Sequence, residues 1–171
     1  MKNVIAIILI LLIAVSCQQQ SRYTQQAPEI ETVKALFAAY NSEDYEGQRQ
    51  YYDPNVQIFI NSPESSPTSL DENISQMMEE KDFFNNETIT IEDDAIERVT
   101  TDDGEVWVNV WGEWKGNMAS TGKEYVIPFH QTFQFVDGKI VKEYGYWDNS
   151  KIMEDMMKAE MESKSDTTAV Q

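Results

Sequence analysis

Residues 130–153 read HQTFQFVDGKIVKEYGYWDNSKIM, and their pattern indicates the fold class most clearly. Two segments rich in β-branched and aromatic residues flank Asp137-Gly138, a dipeptide that is typical of tight β-hairpin turns. The polar run 148–150 that follows favours the start of a helix. The stretch therefore predicts two long antiparallel strands and then a last helix over about 150–161.

The chain upstream of this hairpin continues the same pattern. Segments 87–100 and 105–117 are also rich in Thr, Ile, Val, Phe and Trp, and Asp102-Asp103-Gly104 marks a turn between them. Together with 123–137 and 139–148 they predict a four-stranded antiparallel meander. The glycines inside the strand patterns predict bulges or bends, at Gly112, Gly116 and Gly145.

The first half of the folded part is helical. After Pro28, apolar residues recur at i, i+3, i+4 and i+7 over Val33–Tyr40, which predicts an amphipathic helix. A shorter helix over 43–52, a strand over 56–60 and a helix over 70–84 follow. Helices first and a long sheet second indicate an α+β fold, in which a cone-shaped, curved antiparallel sheet wraps around the N-terminal helices. Such a cone has a pocket at its open end.

This layout resembles the SnoaL-like branch of the nuclear transport factor two-like superfamily, which has the cystatin-like cone. The resemblance is carried by the opening helix, by the helix-to-strand step YYDPNVQIFI at 51–60, and by residues 130–153 with their Phe-x-Val-Asp-Gly-Lys-Ile and Tyr-Trp-Asp motifs. It covers about residues 29–157. Because that superfamily includes cyclases, isomerases, hydratases and non-catalytic scaffolds, the resemblance indicates a fold rather than a reaction.

The N-terminus is typical of an export signal. Residues 1–16 contain Lys2, a continuous apolar run over 4–15 and then Ser16, and the run is too short to span a bilayer. Residues 13–17 resemble a bacterial lipobox, with Ala14 where Leu is usual. The resemblance implies that Cys17 becomes the first mature residue and carries lipid. The alternative is an ordinary cleaved signal that leaves Cys17, the only cysteine, as a free thiol.

These features predict the domain organisation and the location. We expect a signal peptide at 1–16, the lipidated cysteine and a flexible tether at 17–28, the SnoaL-like domain at 29–161 and a disordered tail at 162–171. The expected location is the bacterial cell envelope, at the outer membrane, with attachment through the lipid. The formal net charge of −17 argues against nucleic acid as a partner, since phosphates would be repelled.

Three residues are candidates for acid–base chemistry: His130, Tyr146 and Asp148. His130 is the only histidine, and strand alternation places it on the less apolar face of its strand, where it can also serve packing alone. Asp148 follows two tyrosines on one strand face, an environment that raises a carboxyl pKa, but it also suits a helix cap. The resemblance implies that an aspartate and a histidine at such positions form the acid–base set.

Further residues are candidates for a ligand pocket or for packing. We expect Phe37, Tyr40, Trp111 and Tyr144 to line the pocket, while Trp107 and Trp111 share a strand face that also suits a homodimer through the sheet. The acidic clusters 92–94 and 102–105 lack the ligand spacing of an EF-hand, so no metal and no cofactor is expected.

Three functions remain open at this point. The favoured one is a non-catalytic envelope module that binds a small apolar ligand or a partner. The second is an acid–base enzyme of isomerase, cyclase or hydratase type that acts on a small carbonyl compound. The third is a structural or oligomeric accessory whose pocket is closed by side chains.

Overall fold

The computed structural model describes residues 22–168 of the chain, and the side chains of residues 22–159 and Met161. The expected signal peptide, Cys17 and the end of the chain after residue 168 lie outside the described residues. Within the described part, no helix is both long enough and apolar enough to cross a membrane.

The observed elements form an α+β architecture with one mixed, mostly antiparallel sheet. The helices are α1 (Pro28–Asn41), a 3-10 helix (Glu46–Tyr51), α2 (Leu70–Glu80) and α3 (Ser150–Thr168). The strands are β1 (Tyr23–Thr24), β2 (Tyr52–Ile60), β3 (Phe84–Thr90), β4 (Ile96–Thr100), β5 (Val106–Met118), β6 (Glu124–Val136) and β7 (Lys139–Trp147). The curved, unclosed sheet confirms the expected fold class.

The order of the strands in the sheet is β1-β4-β5-β6-β7-β2, and β3 pairs with the same long strand β5 as β4 does. All pairs are antiparallel except β2 with β7, which is parallel. The expected strand 87–100 is therefore two strands, interrupted by a turn near Glu92. Strand β2 begins earlier than expected and includes Pro54, which lies in a register shift where its missing N–H breaks no ladder bond.

Both ends of the expected domain extend further than the sequence indicates. Residues Tyr23 and Thr24, expected in the flexible tether, pair with Val99 and Arg98 of β4. Helix α3 continues to Thr168, so residues 162–168 are helical and not part of a disordered tail. No Gly or Pro follows Ser150 before that point, and nothing in the sequence therefore stops the helix at Met161.

The core lies between helix α1 and the inner face of the sheet, which we define as the face that packs against α1 and α2. The helix buries Ile30, Val33, Leu36 and Phe37. The Phe37 ring lies 5.9 Å from that of Phe129 and 6.1 Å from that of Phe133, both on β6. This packing fixes the alternation of β6, whose odd-numbered residues over 125–135 point inward.

Two glycines make room for aromatic and aliphatic side chains on the inner face. A Cβ atom at Gly112 would lie 2.6 Å from the Phe129 ring, and one at Gly145 would lie 2.6 Å from Ile60 Cδ1. The strands keep their register at both positions, so the expected bulges are not found there. The glycines are instead needed for close packing.

Candidate active site

A cavity of about 360 Å³ lies between the inner face of the sheet, α1, α2 and the start of α3. This volume is at the lower end of the usual range for pockets that bind small molecules. The walls are mainly aromatic and aliphatic, and include Phe37, Met77, Trp114, Phe129, Trp147 and Met156. The cavity therefore presents a mainly apolar surface with a few polar groups.

One carboxyl group lies deep in this cavity. Glu143 on β7 is 3% exposed. The Tyr52 hydroxyl donates a hydrogen bond to Oε2 of Glu143 at 2.7 Å, and Nε2 of Gln131 donates to Oε1 at 2.9 Å. All three side chains line the cavity. The carboxyl is therefore held in a fixed orientation by one donor on each oxygen.

Burial changes the protonation of this group. Desolvation raises the pKa of Glu143 to about 7, and the hydrogen bonds from Tyr52 and Gln131 act in the opposite direction but are smaller. Burial, with the nearby Glu143 as a second cause, raises the pKa of the Tyr52 phenol, which therefore stays protonated. A carboxyl with a pKa near neutrality can both accept and return a proton, as general acid–base catalysis requires.

A bulge in β7 brings Glu143 to the inner face. Phe135 pairs with Ile140, but Gln134 pairs with Lys142, so Val141 is an extra residue. A one-residue insertion moves all later residues of a strand to the opposite face. Glu143 and Trp147 therefore face the cavity, whereas the residues expected there face outward.

A second polar cluster borders the cavity near the end of α2. The Tyr40 hydroxyl donates to Oε2 of Glu87 at 2.7 Å, and the indole N–H of Trp114 donates to the Tyr40 oxygen at 3.0 Å. Burial, and then the Glu87 charge, raise the Tyr40 pKa. The Glu80 side chain is solvent-exposed, yet crowding protein atoms and, second, the Glu87 charge raise its pKa as well.

The structure does not bring the three expected acid–base residues into this cavity. His130 and Tyr146 pair with each other across β6 and β7 on the outer face of the sheet. Desolvation lowers the pKa of His130, whose ring lies 4.8 Å from that of Trp111. Asp148 is exposed and accepts a hydrogen bond from the backbone N–H of Ser150 at 2.9 Å. Asp148 therefore stabilises the start of α3.

The four expected pocket residues divide between the two faces. Phe37 and Tyr40 line the cavity. Trp111, 47% exposed, lies on the outer face. Tyr144 lies there too, where its ring stacks on Phe59 at 4.9 Å. Successive residues of β5 point to opposite faces of the sheet, so Trp111 points outward while Val110 and Gly112 face inward. The bulge in β7 turns Tyr144 outward.

The donor set of the described residues does not suggest a metal site. Within 22–168 no group of three or more His, Cys, Asp or Glu side chains is placed to hold an ion. The polar groups at the cavity wall are carboxyl, phenol, amide and indole groups. The amides belong to Gln48, Asn73, Gln76, Gln131 and Asn149.

The open, curved sheet thus forms a small α+β domain with an apolar cavity, and the carboxyl group of Glu143 is buried at the wall of this cavity. Residues 33–143 match the model of the SnoaL-like domain. The chain therefore belongs to the SnoaL-like domain family. No curated protein matches the chain.

Several solved structures share the fold at low sequence identity. IdmH from Streptomyces antibioticus, a proposed polyketide cyclase, is 21% identical, with 77% of this chain and 99% of IdmH covered and a TM-score of 0.60. A proposed isomerase from Bacillus subtilis is 18% identical, with coverages of 73% and 89% and a TM-score of 0.55. PrhC from Penicillium brasilianum is 13% identical, with coverages of 82% and 93% and a TM-score of 0.66. These likenesses show the fold and leave the reaction open.

Proposed function

We propose that this domain binds a small, largely apolar carbonyl compound and that Glu143 transfers a proton to or from a carbon next to the carbonyl group. The observation that carries this proposal is the buried Glu143 carboxyl in an apolar cavity, with a pKa raised to about 7. Desolvated carboxyls with shifted pKa values are characteristic of acid–base sites. The proposal of a catalytic site differs from the sequence analysis, which favours a non-catalytic module.

The proposed step is a proton transfer that balances within the site. The ionised Glu143 removes a proton from the α-carbon, and the electron pair of the C–H bond forms the C=C bond of an enolate. The enolate oxygen then carries the negative charge, and amide N–H groups such as those of Gln48, Asn73 and Gln76 line the space around it. Protonated Glu143 returns the proton at the same or another carbon.

Tyr52 and Gln131 are positioning residues in this scheme. Each donates to one oxygen of Glu143, and both hydrogen bonds favour the ionised form against the desolvation penalty. Without them the carboxyl would remain protonated at neutral pH. The pKa near 7 is therefore the result of opposing effects that these three residues provide together.

The second candidate function is ligand binding without chemistry. The observation that favours it is that both oxygens of Glu143 already have a donor, as in a purely structural polar group. The open cavity argues against the third candidate, the accessory with a closed pocket. A measurement of α-proton exchange distinguishes the two functions, because only a catalytic site accelerates the exchange.

The experiment measures exchange of the α-protons of 2-tetralone with D₂O by NMR, at neutral pH, with and without the domain. We expect the domain to accelerate exchange and Glu143→Gln to abolish the acceleration. Asp148→Asn is the matched control, since it also neutralises a carboxylate near the end of β7 and should retain the rate. A probe that binds without exchanging would favour the non-catalytic module, and loss of rate in Asp148→Asn would contradict the assignment of Glu143.

We further propose that the domain is exported and anchored at the bacterial envelope through lipid on Cys17, at the outer membrane. The support is in the sequence of residues 1–17, with its apolar run and lipobox-like end. The acidic chain is not attracted electrostatically to anionic lipid headgroups, so in this proposal the acyl chains on Cys17 provide the attachment. A lipid-held domain would meet apolar compounds that partition into the membrane.

A further inference from the structure

The charges that line the cavity are all of one sign. Within the described part of the chain, the titratable acids at the cavity wall are Glu80 and Glu143, and no Lys, Arg or His side chain lines it. Glu80 is the last residue of α2, so it lies where the helix dipole also contributes negative potential. An anionic ligand would face repulsion from both sources.

Lys81 and Lys123 do not neutralise this potential, because each pairs with a carboxylate that is not at the cavity wall. Lys81, which follows Glu80, pairs with Glu43 and lies 5.8 Å over the Tyr45 ring. Lys123 lies 5.1 Å over the Tyr125 ring, which packs against Phe84, and it pairs with Asp155. Glu87 adds a further carboxylate beside the wall, where it accepts hydrogen bonds from neutral donors only, Tyr40 and Trp114.

The wall next to these carboxylates is aromatic. Tyr40, Phe84 and Trp114 line the cavity on this side, and the rings of Phe84 and Trp114 are 5.2 Å apart at 89°. The faces of such rings attract cations, and more strongly where water is excluded. Carboxylates beside aromatic rings at the wall of an apolar cavity form a suitable environment for an organic ammonium group.

We propose that the compound bound in this cavity is an apolar cation, whose ammonium group lies between Glu80 and the rings of Tyr40 and Trp114. This inference rests on the proposed function, because it names the class of substrate for the same cavity. The apolar body of the ligand extends along Phe37, Phe129 and Met77 toward Glu143. The two carboxyls then have different tasks, since Glu80 recognises charge and Glu143 moves the proton.

The test compares three probes of similar shape and different charge in about 150 mM salt, where long-range attraction by the acidic chain is screened. The probes are benzyltrimethylammonium, its neutral isostere neopentylbenzene and the anion phenylmethanesulfonate. Binding to the domain is measured through quenching of tryptophan fluorescence. We expect the cation to bind about tenfold more tightly than the neutral isostere, and the anion most weakly.

Glu80→Gln is expected to reduce the preference for the cation about fivefold and to leave binding of the neutral probe unchanged. Glu79→Gln is the matched control, because Glu79 is adjacent, exposed and absent from the cavity wall, and the variant changes net charge equally. Equal binding of cation and neutral isostere, or equal losses in the two variants, would overturn the inference.

The outcomes also separate this inference from the proposed function. Preference for the cation without any α-proton exchange on 2-tetralone would sustain the inference and refute the proposed reaction. Exchange that depends on Glu143, together with no preference for the cation, would support the proposed reaction and refute this inference. Binding of none of the three probes would overturn the inference, whatever the exchange measurement shows.

Discussion

The Tyr52 hydroxyl donates a hydrogen bond of 2.7 Å to Oε2 of Glu143 across 91 residues of sequence. Tyr52 opens β2, which follows the 3-10 helix, and Glu143 lies on the parallel neighbour β7. The contact therefore joins the helical first half of the chain to the sheet of its second half. It lies inside the core, so the protonation of Glu143 affects stability as well as chemistry.

Glu143→Gln should make the stability of the domain less dependent on pH. Because the folded-state pKa is raised from 4.5 to about 7, Glu143 favours folding below pH 4.5, and this contribution is lost as pH rises through 7. The loss is on the order of 3 kcal/mol. Gln stays neutral and can bond both partners, so the variant should be more stable than the wild type at pH 8 and similar at pH 4.5.

Urea unfolding at pH 4.5, 6, 7 and 8 measures this difference. Glu79→Gln, an exposed substitution on α2, should change the free energy of unfolding by less than about 0.5 kcal/mol at every pH. Parallel stability curves for wild type and Glu143→Gln would contradict a raised pKa at Glu143.

Tyr52→Phe should raise the pKa of Glu143 further. The lost hydrogen bond favours the ionised carboxylate, so its removal leaves the desolvation penalty less opposed. We expect the pH midpoint of α-proton exchange to move upward by about one unit, given the strength of hydrogen bonds to charged groups. Tyr144→Phe, on the outer face, is the control and should keep the midpoint. An unchanged midpoint in Tyr52→Phe would show that the phenol does not tune the carboxyl.

The fold class was predictable because it depends on patterns that tertiary contacts do not override. The 3.6-residue period over Val33–Tyr40, the Asp137-Gly138 turn and the aromatic alternation around Phe133 are all local signals, and the structure follows each of them. The alternation of β6 also indicated correctly that His130 lies away from the apolar face.

The candidate site was less predictable because of one residue, Val141. An unbroken hairpin from Asp137-Gly138 would place Tyr144, Tyr146 and Asp148 on the inner face. The bulge at Val141 reverses this, so that Glu143 is inside, and no Gly or Pro marks it in the sequence. The role of Tyr52 as the hydrogen-bond partner of Glu143 was also not predictable, because the sequence places Tyr52 at the end of a helix, whereas it lies at the start of strand β2. A buried carboxyl among apolar residues is visible only once the register is known.

Asp148→Ala should weaken the start of α3 and leave exchange intact. Asp148 accepts a hydrogen bond from the backbone N–H of Ser150. The hydrogen bond with the Ser150 side chain, and after it the one with the backbone N–H, lower the pKa of Asp148. The contribution of Asp148 to the stability of the folded domain is therefore present above its unfolded-state pKa, and it is lost as pH falls through its lowered folded-state pKa. We expect a lower urea midpoint at pH 7 and a smaller effect at pH 3, while Asp148→Asn, which retains a capping side chain, stays near wild type. Loss of α-proton exchange in both variants would show that Asp148 takes part in the reaction.

The outer face of the sheet offers a surface for the expected homodimer. Trp111 is 47% exposed there and Tyr146 is 50% exposed, beside the half-buried His130. If a second copy covers this face, Trp111→Lys should give a monomer by sedimentation and leave ligand binding unchanged. Thr121→Lys, in the turn between β5 and β6, is the control. A monomer mass at all concentrations, with unchanged tryptophan fluorescence on dilution, would contradict the dimer.

Cys17→Ser should release the protein from membranes. The wild-type chain, expressed in a bacterial host and labelled with an alkyne analogue of palmitate, should carry the label and sediment with membranes, because each buried methylene of an acyl chain contributes about 0.8 kcal/mol. The formal charge of −17 provides no electrostatic attraction to anionic lipids, so the variant should remain in the supernatant. If the signal is instead an ordinary cleaved one, wild type will be unlabelled and its thiol will react with maleimide. Membrane association that persists in Cys17→Ser would show that residues other than this cysteine hold the protein at the membrane.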